Sequence, residues 1–230
     1  IECSSDFGFP NIRQAYEEVL AISIKMGDDF KTYACGEYDP PPHVRYIKCI
    51  NEEQLLTEFI NDWASNFPDI VTGWNSRFFD IPYLINRIIR ILGEKAANKL
   101  SPWGWFRENE VSLVGNRKMQ VFDIVGISSI DYLDAYKKFT YVNRESYSLN
   151  HIAYAELGEK KLDYEEAATL HELYKTNFQR YLDYNVHDVV LVERLEEKMK
   201  LMEMIVSLAY MAKCNFCLLY TSPSPRDGTK

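Results

Sequence analysis

The chain has 230 residues, 47% hydrophobic and 26% charged, with a formal net charge of −8. This composition fits a folded protein of one large domain or two small ones and excludes collagen-like, low-complexity and disordered classes. The acidic surplus disfavours a surface that grips duplex phosphates throughout, yet suits a site that holds divalent cations between carboxylates.

Residues 20–25 and 30–35 are apolar stretches separated by Met26-Gly27-Asp28-Asp29, which predicts a β-hairpin. Pro40-Pro41-Pro42 stiffens the loop before a third strand over residues 45–50. Asn51 with Gln54 three residues on has the spacing of a helix cap, and Leu55, Leu56, Phe59, Ile60 and Trp63 then fall on one helical face. Residues 69–73 read as a buried strand, and residues 81–93 as a helix with Pro82 in its first turn, where proline is tolerated. A meander followed by helix, strand and helix predicts an α/β fold with a mixed sheet flanked by helices. A second hairpin is expected over residues 109–125, turning at Gly115-Asn116. Two short helices over 130–138 and 148–157 should follow, the latter stopped by Gly158. A single long helix is expected from about Phe178 to Ala212, carrying Leu182, Val186, Val189, Val192, Leu195, Met199, Met202, Val206 and Ala209 at helical spacing.

No stretch reaches the roughly 18 apolar residues of a membrane span, and the N-terminal residues lack signal-peptide character, so a cytosolic protein is the expectation. Five cysteines, at 3, 35, 49, 214 and 217, are odd in number and argue for reduced thiols. Cys214-x-x-Cys217 lacks the second pair of a zinc ribbon and is read as coincidence. The texture changes after Phe216, and residues 217–230 are expected to be a non-native, adapter-derived tail.

Two constellations bear on chemistry. Asp80 stands where a strand end gives way to a helix, behind Asn75, whose amide can bond a sugar or phosphate, and Phe79, whose ring can stack on a base. Taken alone, Asp80 is read first as a cap of the following helix. Tyr184 and Asp188 share a helical face one turn apart, a pairing that chance and structure produce often.

Together these segments are more specific. The segment from Pro68 to Arg87, with Asn75-Ser76-Arg77-Phe78-Phe79-Asp80 at its centre, resembles the second exonuclease motif of family B DNA polymerases, and Tyr184-x3-Asp188 resembles the third. Residues 130–139 and 177–181 resemble the T-even-type phage members. The resemblance covers nearly all of residues 1–216 and implies an exonuclease domain with an RNase H-like fold of the DEDDy type, which has four acidic residues and a tyrosine. The subclass with a catalytic histidine carries it five residues before the last aspartate; Asp183 stands there, which fits the tyrosine subclass. Ile1-Glu2 matches the last two letters of the first motif, Asp-x-Glu, so the aspartate is expected immediately ahead of Ile1 and the polymerase domain is expected to be absent.

By this resemblance the activity is 3′→5′ proofreading hydrolysis of the 3′-terminal phosphodiester of DNA, in a phage replicative polymerase acting in the cytoplasm of an infected bacterium. Glu2, Asp80 and Asp188 would bind two Mg²⁺ ions, with Mn²⁺ as a substitute. Tyr184 would position the attacking water, and Asn75 and Phe79 would hold a single-stranded or frayed 3′ primer end. The partners implied are DNA, the polymerase domain of the same full-length chain, and a sliding clamp with other replisome proteins. A free-standing 3′→5′ exonuclease and a non-catalytic single-strand-binding module are the alternatives. The 109–125 hairpin resembles the family's strand-separating hairpin.

Overall fold

The computed structural model describes residues 1–5, 8–113, 117–158, 170–216 and 219. The meander forms as expected. Strand β1 (Glu2–Cys3) pairs antiparallel with β2 (Val19–Met26), Glu2 opposite Ala21, and β2 pairs antiparallel with β3 (Asp29–Ala34), Met26 opposite Asp29. Gly27 makes the tight turn between them with φ of 60°, a left-handed conformation that glycine adopts without a Cβ clash. β4 (Arg45–Lys48) adds to β3 in parallel.

Helix α1 (Glu52–Ser65) buries all five residues of the expected face. The Asn51 side chain accepts from the Gln54 amide at 2.9 Å, and Gln54 Oε1 accepts from the Ile50 amide at 2.7 Å, one residue further out than the usual reciprocal cap. β5 (Ile70–Gly73) leads into α2 (Asp80–Leu92), and α3 (Glu94–Ala97) with a 3₁₀ turn (Asn98–Leu100) closes that layer. The main core joins Val19, Ile22 and Tyr33 of the sheet to Leu55, Phe59, Tyr83 and Ile88 of the helices. At its rim the buried Arg87 guanidinium donates to both oxygens of Glu52, at 2.7 and 2.6 Å, and to the carbonyls of Ala15 and Tyr16. Such a pair is tolerated in a core because hydrogen bonds saturate the guanidinium.

The second hairpin, β6 (Phe106–Leu113) with β7 (Arg117–Ile124), is antiparallel in full register; its turn at Gly115-Asn116 lies outside the described residues. The expected helix from residue 130 is corrected. Residues 128–131 form strand β8 (Ser128–Asp131), parallel to β5 with Ile130 opposite Thr72, and α4 (Tyr132–Phe139) begins only after its cap, Asp131. α5 (Leu149–Leu157) runs from the Ser148 cap to Gly158, left-handed at φ 74°, as expected. α6 (Leu170–Thr176) was not foreseen.

The single long helix is also corrected: α7 (Phe178–Met199) and α8 (Leu201–Ala212) are separated by Lys200 at φ 56°. The Glu196 carboxylate accepts from the amides of Met202 and Glu203, satisfying donors at the start of α8. The break turns Leu201, Ile205 and Ala209 inward and leaves Val206, assigned to the buried stripe by a straight helix, 36% exposed.

The expected mixed α/β architecture is present, but its strands divide among separate sheets: the mixed set β1-β2-β3-β4, the parallel pair β5-β8, and the hairpin β6-β7. Residues 22–26 of β2 have a strand partner on one side only, as does β5. A cavity of about 750 Å³ is lined by both of these edges. Among the described residues, no helix is long and apolar enough to cross a membrane.

Candidate active site

Three separate elements bring carboxylates to this cavity. Glu2 arrives on β1, held by its pairing with β2; Asp80 is the first residue of α2; Asp188 sits midway along α7, which packs on the sheet through Val186, Val189 and Val190 against Phe30 and Val44. All three line the cavity, although 186 positions separate the first from the last. Phe79 lines it as well. Its ring is 5.6 Å from Tyr83, nearly stacked, and 5.4 Å from Phe9, which is 83% exposed.

The backbone nitrogen of Ile1 lies 2.7 Å from Asp80 Oδ1, which places β1 beside the start of α2. Glu2, Asp80 and Asp188 offer carboxylate oxygens to the cavity. Oxygen donors of this kind are those that Mg²⁺ and Mn²⁺ require. Among the described residues, however, no three acidic, histidine or cysteine side chains gather closely enough to hold one ion.

Two residues are placed elsewhere. Asn75 is exposed in the loop before α2, with φ of 63°, and does not line the cavity. Tyr184 is buried, 4% exposed, and does not line it either, although it lies one turn before Asp188. The polar neighbour that does reach the cavity is Asn185: it is 4% exposed, and its side-chain oxygen has no hydrogen-bond partner. Sequence reasoning passed over it because it sits between the motif letters; its spacing of three from Asp188 was the available signal. Asp183 has a structural partner, accepting from the Tyr38 hydroxyl at 2.9 Å.

Residues 1–152 match the family model for the exonuclease domain of DNA polymerase family B, and the chain belongs to that family. It is 39% identical over 170 residues to the DNA-directed DNA polymerase of Escherichia phage RB69, covering 73% of this chain and 18% of that protein. To the DNA-directed DNA polymerase of Enterobacteria phage T4 it is 38% identical over 173 residues, 75% of this chain and 19% of that protein. The DNA polymerase delta catalytic subunit of Caenorhabditis elegans is 29% identical over 176 residues, 73% of this chain and 16% of that subunit. The chain thus spans less than a fifth of the length of these relatives.

Proposed function

We propose that this domain is the 3′→5′ proofreading exonuclease of a phage replicative DNA polymerase, with an RNase H-like, DEDDy-type site. The carrying observation is that Glu2, Asp80 and Asp188, supplied by three separate elements, line one cavity. Glu2, Asp80 and Asp188 would hold two Mg²⁺ ions, together with an aspartate directly ahead of Ile1. Bound, these ions would supply charge neutralisation at the phosphorus and a more acidic water.

The chain's own residues have separate tasks. The exposed ring of Phe9 and the half-buried ring of Phe79 stack on bases of a single-stranded or frayed 3′ end, a grip that tolerates any sequence. Asn75, exposed and four residues before Phe79, bonds the sugar-phosphate. A mismatched terminus frays more readily, which favours its excision. Tyr184 orients the attacking water once its ring turns from its buried position toward Asp188. The remaining partners, a polymerase domain in the same full-length chain and a clamp with other replisome proteins, follow from this reading, as does action in the host cytoplasm.

The test uses the chain with an aspartate placed before Ile1 and a 5′-labelled single-stranded oligonucleotide. The expected result is a Mg²⁺-dependent ladder shortening from the 3′ end, stopped by a chelator. Internal fragments would make it an endonuclease, and tight binding without shortening would make it a binding module.

A further inference from the structure

The loop that carries Asn75 and Phe79 is organised around a carboxylate that the exonuclease motifs do not include. Asp131 ends β8, directly opposite Gly73 in the parallel β5-β8 pair, so its side chain lies where the chain leaves β5. It is completely buried. Its two oxygens divide the work. Oδ1 accepts from the amides of Leu133 at 2.9 Å and Asp134 at 3.3 Å, which caps α4, and from the amide of Asn75 at 3.3 Å. Oδ2 accepts from the amide of Arg77 at 2.9 Å.

The loop is tied downstream of these bonds as well. The Asn75 carbonyl accepts from the amides of Phe78 and Phe79, and the Ser76 carbonyl accepts from Ile81 in the first turn of α2. Asn75 itself is held in a left-handed conformation that most residues avoid and asparagine tolerates. Burial pushes Asp131 up to about 6, against the bonds from Arg77, Asp134 and Leu133.

We propose that Asp131 is a positioning residue for the substrate grip: it fastens the loop of residues 74–79 to the cap of α4, so that Asn75 and Phe79 meet a DNA 3′ end as one preset unit. This rests on the reading of Asn75 and Phe79 as contacts to single-stranded DNA. A preset unit loses little freedom on binding, so releasing the loop weakens binding without touching any carboxylate that faces the cavity.

The two oxygens allow the roles to be separated. Asp131→Asn keeps an oxygen where three amides converge, and asparagine caps helices about as well as aspartate. Its NH₂ group then faces the Arg77 N–H, donor against donor. Asp131→Ser also caps α4, but supplies no second oxygen to the loop. In both variants hydrogen exchange should accelerate at the Arg77 amide while the Leu133 and Asp134 amides stay protected, with thermal stability near that of the parent. Affinity for a labelled single-stranded oligonucleotide, measured in chelator so that nothing is cut, should fall about tenfold, which is the scale of one lost charge-assisted hydrogen bond.

Unchanged protection at Arg77 in both variants would overturn the clamp. Lost protection with unchanged affinity would show that the clamp does not serve the grip. If exchange at Arg77 accelerates as expected but the parent chain binds no single strand, the reading of Asn75 and Phe79 fails, and the role assigned to Asp131 in binding goes with it.

Discussion

Asp80→Ala and Asp188→Ala, each made in a chain carrying an aspartate ahead of Ile1, are expected to lose 3′-terminal excision by about a thousandfold while keeping their fold. The size follows from what the residues face. Groups that stabilise developing charge in a sheltered site commonly contribute the largest catalytic share, about a hundred- to a thousandfold for one donor. Both carboxylates line the cavity with Glu2.

The fold should survive because, without a metal, like charges gathered in one cavity oppose one another, so deleting one relieves repulsion. Asp80 adds a favourable contact with the N-terminus of α2, but such terms are worth only about 0.3–1 kcal/mol. Tyr184→Phe should be milder, roughly ten- to a hundredfold, since a hydroxyl that orients water holds no ion. Excision rates on a labelled oligonucleotide, set beside thermal unfolding, decide the matter. Equal losses in all three variants, or collapse of the Asp80→Ala protein, would show that the roles are assigned wrongly.

What the sequence revealed and concealed follows from the range of each signal. Local signals were reliable. The Asn51 cap, the apolar face of α1 and the Gly158 stop depend on residues within one or two turns, and each is found as expected. Failures occurred where tertiary pairing decided. Ile130 and the residues after it have helical spacing, yet β5 offers a strand edge, and pairing with Thr72 claims Ile130 for the sheet. Lys200 gives no local warning of a left-handed conformation; the break depends on Glu196 reaching the amides of α8. The acidic triplet was legible only through its resemblance to a family, because no spacing rule joins residues 2, 80 and 188. Asn185 left only the weak signal of its spacing from Asp188, and Asp131 was not legible at all, since a buried carboxylate is known only by what surrounds it. Asp131 looks in sequence like one more polar residue of a helix, although its partners lie 54 and 56 residues upstream.

Extending the chain by an aspartate before Ile1, with an initiator residue ahead of it, is expected to raise excision by two to three orders of magnitude, about the scale of gaining one electrostatic contributor. The added carboxylate supplies a further hard oxygen donor beside Glu2. The comparison uses one single-stranded oligonucleotide and one Mg²⁺ concentration, with all chains trimmed after Phe216. If the extended and unextended chains cut at similar rates, the first acidic motif lies elsewhere than at Ile1-Glu2, and Glu2 lines the cavity without serving the chemistry.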